Sequence, residues 1–314
     1  MEINELIFKE FVRNGYAENK EKKVWDISER KFLYLTPELA KGFLNLRSFP
    51  AYKKQVVDRE IALMKAHSKE LIKEINGENF NLIDIFCGDG TKAIELMKLF
   101  KGNGEIKYCP INVTNYLTDL AIKNVRGAKI PNVKEFEFQN CECNGKKLDD
   151  FIAGVRGGKY SRNVILLLGS VLASYEINDY LFKLSNAMLP GDYLIIGNGI
   201  RTGDRLASLE TYKHDIWNSW FIHLMTGLGF NKEEVSYDAR FGNSRVEMFY
   251  KVNIDKEISH GGKKISFKKG DEILAAILYK YFDHEFEKFC KMYFSEVKLF
   301  KDEDNEYALV VCRK

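Results

Sequence analysis

The chain has 314 residues, with 48 Lys and Arg against 45 Asp and Glu and a formal net charge of +3. Hydrophobic residues at 45% and aromatics at 13% suffice for the core of one large domain or two intimate ones. So weak a basic excess argues against a nucleic-acid protein, whose phosphate contacts need clustered cations. The stretch up to Lys23 is charged throughout, and no run approaches the roughly 20 apolar residues of a membrane span. Neither signal peptide nor membrane contact is expected, and the reading is a cytoplasmic protein. Cysteines 87, 109, 141, 143, 290 and 312 form no secreted disulfide pattern. Cys141-x-Cys143 lacks a second pair at zinc spacing, so no metal is predicted and the thiols are expected buried and reduced.

Up to about Lys54, aromatic and charged residues mix in a way that reads as short helices with loops. Val57, Ile61, Met64, Leu71 and Ile75 then recur at helical spacing and predict one amphipathic helix over 56–75, closed by a turn at 76–79. From there the pattern alternates. A short apolar strand over 82–86 meets a glycine-rich turn and a helix over 92–100. A strand over 106–113 is followed by a helix over 116–125, and a third strand covers 133–138. Val164–Leu168 is apolar without interruption, as a parallel strand buried on both faces requires. A helix over 180–188 leads to a strand over 193–197. Pro50, Pro110 and Pro190 stand at predicted boundaries. This rhythm predicts an α/β fold with a doubly wound, Rossmann-like sheet.

After Ile200 the rhythm breaks. Residues 206–228 read as mostly helical, 234–238 and 246–254 as strands, and 265–267 as a further strand behind a Gly261-Gly262 hairpin turn. Gly270-Asp271-Glu272 is read as opening a helix toward Tyr281. A helix over 286–293 and a strand over 307–312 close the chain. The expected organisation is a core of residues 55–200 and 271–314 carrying a second, smaller α+β lobe of 1–54 and 201–270.

Asp84-Ile-Phe86-Cys87-Gly88-Asp-Gly90-Thr-Lys92 is the sharpest local feature. Glycines between strand and helix let the backbone turn tightly and approach a ligand. Gly88, Gly90 and Ala93 satisfy the permissive G-x-G-x-x-G/A form, so the turn alone leaves a dinucleotide site open. No acid closes the second strand to hold a ribose, and Lys92 is not followed by Ser or Thr as a Walker A loop requires. The remaining natural ligand is S-adenosylmethionine, whose methionine and ribose part packs on such a turn while Asp84 holds it. An ordinary strand-to-helix turn would use the same residues. A second element narrows the choice. Ala187-Met-Leu-Pro190-Gly191-Asp-Tyr-Leu-Ile-Ile-Gly197 reads as helix, turn and strand, and resembles the L-x-P-G-G turn before the fifth strand of class I methyltransferases. Its offset of roughly a hundred residues fits the intervening βα units.

Further segments follow in order: Phe49-Pro-Ala-Tyr52 with Arg59-Glu60, Tyr108-Cys-Pro110-Ile-Asn112-Val-Thr114, Leu168-Gly169-Ser170-Val-Leu-Ala-Ser174, Val246-Glu247-Met248, Phe267-Lys-Lys-Gly270-Asp-Glu272 and Tyr279-Lys280-Tyr281. In this order the sequence resembles, over nearly its whole length, the histidine N-alpha-methyltransferase family, best known from ergothioneine biosynthesis. The resemblance implies a class I methyltransferase that uses S-adenosylmethionine and releases S-adenosylhomocysteine. It implies cofactor contacts at Asp84, Phe86, Cys87, Gly88, Gly90, Lys92, Asn112, Asn140, Gly169 and Ser170. Substrate contacts are implied at Tyr52, Ser174, Tyr212 and Met248, with Tyr52 and Tyr212 as the catalytic pair that orients the acceptor.

Departures from the family pattern are informative. Its acids after the second and third strands are Asn112 and Asn140 here, which bind hydroxyls or an adenine amine only as neutral groups. Its substrate-holding asparagine is Ser174. The glutamate and serine that read imidazole fall at Ala276 and Leu278, which removes the basis for choosing histidine. Methyl transfer is an in-line displacement, so the enzyme mainly has to aim an unprotonated amine and exclude water. The expected substrate is a small amino-acid-like or heterocyclic amine. Bland readings stand beside these roles. Tyr52 and Tyr212 can be core aromatics with satisfied hydroxyls, and Met248 can be a core filler. His214 and His223 can be surface residues, and Tyr212, Trp217, Trp220 and Phe221 can be a packing face. An RNA or protein methyltransferase and a non-catalytic descendant are the competing functions. Oligomeric state is left open.

Overall fold

The computed structural model describes residues 3–19, 22–75, 78–100, 102, 104–141, 143, 145–203, 206 and 208–314. The chain divides into two compact units, one of residues 50–204 and 280–314, the other of residues 1–49 and 205–279.

The larger unit is built on β1 (Phe80–Ile85), β2 (Ile106–Asn112), β3 (Val133–Phe136), β4 (Arg162–Leu167), β5 (Tyr193–Gly199), β6 (Glu296–Lys301) and β7 (Tyr307–Arg313). Its sheet runs in the order 3-2-1-4-5-7-6, and the two-residue strand Gln139–Asn140 also pairs with β2. Strands β1 to β5 are parallel, while β7 runs antiparallel between β5 and β6. β1, β2 and β5 are buried along their whole length, as strands covered on both faces are, and they carry the buried polar residues Asn81, Asp84, Lys107, Asn112 and Asn198 among apolar ones. Leu96 and Met97 from helix Thr91–Leu99, and Ala121 and Val125 from helix Asn115–Gly127, pack into the same core as Leu82 and Val164. This is the doubly wound α/β sheet expected from the sequence. Pro110 lies inside β2 rather than at its boundary.

The helix expected over 56–75 is divided. A wide helical turn over Lys53–Asp58 passes into Arg59–Ala66, the chain breaks at His67 (φ −103°, ψ 24°), and Ser68–Ile75 resumes. Leu63, Met64, Leu71 and Ile75 all reach the core, and His67 stacks on Phe300 at 4.1 Å, pinning the break. Part of the turn expected at 76–79 lies outside the described residues. Helix Lys146–Gly154 and strand β6 have no counterpart in the sequence reading. β6 is an edge strand with a largely exposed, charged outer face, so it carries no apolar run.

In the smaller unit, strands Tyr16–Asn19, Lys22–Asp26, Glu272–Tyr279, Arg245–Val252 and Val235–Gly242 form one sheet in that order. Lys256–His260 and Lys263–Phe267 form a separate hairpin around Gly261-Gly262. Helices Ile3–Asn14, Pro37–Ser48 and Asp215–Leu228 are the longest of the helices in this unit. The N-terminal segment therefore holds two strands in addition to its helices. The helix expected from Gly270 toward Tyr281 is strand Glu272–Tyr279. Leu, Ala and Glu there favour a helix, but the segment pairs with Arg245–Val252 on one side and Lys22–Asp26 on the other, buried from Glu272 to Ala276. Sheet packing overrides local propensity. The segment accordingly belongs to the smaller unit, and the boundary falls after Tyr279 rather than before Asp271.

Glu272 is almost fully buried beside Lys22 and Arg240, and Arg240 and Arg245 both bind Glu247. Burial alone would raise the Glu272 carboxyl, but Lys22 and Arg240 hold it below its usual range. A depressed carboxyl contributes stability above its unfolded pKa of roughly 4.3 and loses it as pH falls through the folded value. All three tryptophans lie in this unit, so their fluorescence reports on it. Glu272→Gln is expected to lower stability at pH 7 and to flatten the acid limb below about pH 4.3; an unchanged acid limb would remove Glu272 as its source.

All six cysteines are buried thiols. Among the described residues, no helix is long and apolar enough to cross a membrane.

Candidate functional site

Parallel strands present their carboxyl ends on one edge of a sheet. The order 3-2-1-4-5 reverses direction between β1 and β4, which opens a crevice there. Asp84, Asn112 and Gly169 stand at or just beyond the carboxyl ends of β1, β2 and β4, and Gly197 lies within β5, near its carboxyl end.

The glycine turn follows β1. Phe86, Gly88 and Gly90 all have positive φ, at 55°, 57° and 77°. Gly90 N–H donates to Cys87 O at 3.0 Å, and Cys87 N–H to Ile111 O at 3.3 Å. Gly90 also caps helix Thr91–Leu99, where a Cβ would lie 3.2 Å from the Ala121 backbone. The turn is thus a strained, closely packed loop of the kind that approaches a ligand. Asp84 holds it from below by accepting the Tyr108 hydroxyl at 2.8 Å. Burial, followed by the Asp84 charge, pushes the Tyr108 phenol well above its ordinary range, so it stays a donor.

Asn112 ends β2 and is 1% exposed. Its Oδ1 accepts Val113 N–H at 2.7 Å, while its buried Nδ2 has no hydrogen-bond partner among the described residues. A buried amide without a partner costs on the order of 1–3 kcal/mol, and a ligand hydroxyl would relieve that cost. Asn140 differs: its Oδ1 accepts the Thr118 hydroxyl at 3.0 Å and its Nδ2 donates to Asn115. Its amide is tied at both ends to helix Asn115–Gly127.

Beyond β4, Gly169 and Ser170 both take left-handed backbone, at φ 79° and 58°. Ser170 N–H donates to Gly197 O at 2.8 Å, and its hydroxyl accepts Gly199 N–H at 3.0 Å. Beneath this loop lies Glu60, which the sequence reading did not assign to the site. It is 0% exposed. Its Oε1 accepts Gly169 N–H and the Tyr307 hydroxyl, both at 2.8 Å, and its Oε2 pairs with Lys92 Nζ at 2.5 Å. Burial and then the Glu60 charge push the Tyr307 phenol well above its ordinary range, with Tyr52 adding to the rise and Ser170 opposing it. A second buried cation, Lys280, places its Nζ 2.9 Å from where a Cβ of Gly199 would be. The sequence signal for this cluster was Gly197 and Gly199 inside an apolar strand, where glycine marks a close approach.

These residues fit S-adenosylmethionine. The turn after β1 suits the methionine and ribose part, Asn112 offers an amide donor at the end of β2, and Lys92 offers a cation between the β1 and β4 ends.

The acceptor-side residues fall in both units. In the larger, Tyr52 closes the short helix Pro50–Tyr52, and Ser174 ends the turn Leu172–Ser174 half-buried. In the smaller, Tyr212 is half-buried at the end of helix Leu209–Tyr212, its ring 5.4 Å from Trp217 and its carbonyl accepting the Tyr237 hydroxyl. Met248 is 1% exposed between Ala239 and Ala276, a core position. His214 uses its Nδ1 to cap helix Asp215–Leu228, and Glu247 is committed to two arginines. Trp217, Trp220 and Phe221 are buried together.

No curated protein sequence gives a significant match to the chain. Among solved structures, a protein from Pyrococcus horikoshii is similar at 12% identity and TM-score 0.46, over 88% of this chain and 99% of that one. A SAM-dependent methyltransferase from Methanosarcina mazei is similar at 11% identity and TM-score 0.39, over 77% and 96%. Human N-acetylserotonin methyltransferase, crystallised with SAM, is similar at 10% identity and TM-score 0.44, over 99% and 66%. The sequence model for histidine-specific, SAM-dependent methyltransferases matches residues 42–314, which span the glycine turn, Asn112, the Gly169-Ser170 loop and β7. The chain belongs to the histidine-specific, SAM-dependent methyltransferase family.

Proposed function

We propose that the acceptor of this S-adenosylmethionine-dependent methyltransferase is a small-molecule amine, amino-acid-like or heterocyclic, and not histidine. The observation that carries the reading is the apolar pair Ala276 and Leu278 on strand Glu272–Tyr279, at positions where the family resemblance has the glutamate and serine that read imidazole. Without buried polar partners, a pocket has little means of selecting an imidazole over an apolar ring.

Bound S-adenosylmethionine supplies an electrophilic sulfonium methyl and becomes S-adenosylhomocysteine. The protein's own part is binding and aim. Asp84 and Tyr108 hold the glycine turn, including Phe86, Cys87, Gly88 and Gly90, against the ligand. Asn112 donates to a ribose oxygen through its unpartnered Nδ2. Lys92, with Gly169 and Ser170 beside it, takes the amino-acid end. Tyr52 in the larger unit and Tyr212 in the smaller are each candidates for orienting the acceptor amine by accepting its N–H, and Ser174 and Met248 are further candidates for acceptor contact. Correct aim and exclusion of water supply most of such a rate enhancement.

A second reading, a binding protein without catalysis, is favoured by one observation. The Asn140 amide is engaged by Thr118 and Asn115 rather than free for adenine.

Calorimetric titration with S-adenosylmethionine and S-adenosylhomocysteine, followed by methylation assays on a panel of amines that includes histidine, tests the proposal. Micromolar cofactor binding and turnover of a non-histidine amine are expected. Histidine as the best acceptor would overturn the substrate reading. No binding up to millimolar cofactor would favour the second reading, and steeply salt-dependent RNA binding would favour a polymer acceptor.

A further inference from the structure

A carboxylate with no solvent exposure persists only where its charge is matched and its lone pairs are used. Glu60 is held by three elements at once: the Lys92 ammonium on helix Thr91–Leu99 matches its charge at Oε2, and the Gly169 N–H after β4 and the Tyr307 hydroxyl on β7 both donate to Oε1. Room for it is made by missing side chains. A Cβ at Gly197 would overlap the Glu60 carboxylate, and one at Gly169 would lie 2.5 Å from Lys92 Nζ. Neighbouring Arg59 binds Asp302, Asp304 and Glu306, which anchors this helix start to the β6–β7 turn. Lys92 keeps 13% of its side-chain surface exposed while Glu60 keeps none. The carboxylate is therefore the inner partner and the ammonium the outer one.

We propose that Glu60 is a positioning residue for the amino-acid end of the cofactor, fixing the Lys92 ammonium over Gly169 so that the ligand's carboxylate meets a cation already in place. This rests on the cofactor reading above. Lysine has a flexible four-carbon stem, and holding its head in advance removes the ordering cost that ligand binding would otherwise incur. In Glu60→Gln the amide oxygen still accepts from Gly169 and Tyr307, but the amide N–H group faces the ammonium and turns it away.

The test compares S-adenosylhomocysteine with 5′-methylthioadenosine, which keeps the adenosine but lacks the amino-acid end. Calorimetry on Glu60→Gln is expected to show a loss of about tenfold or more for S-adenosylhomocysteine and no change for 5′-methylthioadenosine. In a Lys92→Met background, adding Glu60→Gln should cost nothing further for S-adenosylhomocysteine. Equal loss for both ligands, or the same added loss without Lys92, would mean a merely structural role and overturn the proposal; so would unchanged affinity for both. Should Glu60→Gln not fold, Tyr307→Phe loosens Glu60 without leaving a charge unpaired. It is expected to show the same ligand-selective loss at smaller size, and an equal loss on both ligands would again overturn the proposal. Wild-type protein that binds neither ligand would overturn the cofactor reading itself, an outcome distinct from binding both with no selective effect of Glu60.

Discussion

Gly88→Arg is expected to abolish S-adenosylmethionine binding, moving a micromolar affinity beyond millimolar, a loss of at least about 4 kcal/mol. Gly88 is buried and left-handed at φ 57°, between Phe86 at 55° and Gly90 at 77°. Any side chain there incurs a left-handed penalty of about 1–2 kcal/mol. Arginine adds bulk and charge at the point where the backbone must approach the ligand. Gly88→Ala carries the same strain with little bulk and separates the two effects: it should lower stability by a similar amount and retain part of the affinity. Calorimetry for binding and denaturant unfolding for stability check both variants. Micromolar binding by Gly88→Arg would move the cofactor away from the β1 turn.

The second large effect is expected at Gly197→Ala. The new methyl overlaps the Glu60 carboxylate, which has β4, β7 and Lys92 around it and no solvent to move into. Either Glu60 leaves its partners or helix Arg59–Ala66 shifts, and disrupting a buried ion pair costs on the order of 3–5 kcal/mol. Gly203 is the control, since a Cβ there meets nothing within 4 Å; Gly203→Ala should be neutral within about 0.5 kcal/mol. Denaturant midpoints of the two variants decide the matter. Equal stability would mean that Glu60 is not held against β5. Gly199→Ala is expected to fall between them, because the atom it meets is the far end of Lys280, a flexible side chain.

Much of the larger unit was legible in the chain itself. Uninterrupted apolar runs such as Val164–Leu168 announced strands buried on both faces, and helices between them announced a parallel sheet. The glycine turn at 86–90 and the Pro190-Gly191 turn were legible because each needs residue types that few other structures need. Strand Glu272–Tyr279 was not legible. Its Leu, Ala and Glu residues favour helix locally, and only pairing with two distant strands on either side makes it extended.

The site divides in the same way. The candidate turn of Asp84, Gly88 and Gly90 could be picked out from sequence because it joins a strand and a helix that the sequence itself marks, while Lys92 and Asn112 came from the family resemblance. Glu60 stood in the family-like Arg59-Glu60 segment, but its burial could not be read there, because within the helical pattern it is one more charged residue. Its burial follows from the return of β7 alongside β5, which brings Tyr307 to it from 247 positions away, and from the space left at Gly197. The sequence by itself determined the parallel sheet, the glycine turn and the family, since local periodicity and residue-specific turns carry that information. Only the tertiary structure decided which charge is buried and what holds it, because the partners of a buried group are set by long-range packing that no local pattern encodes.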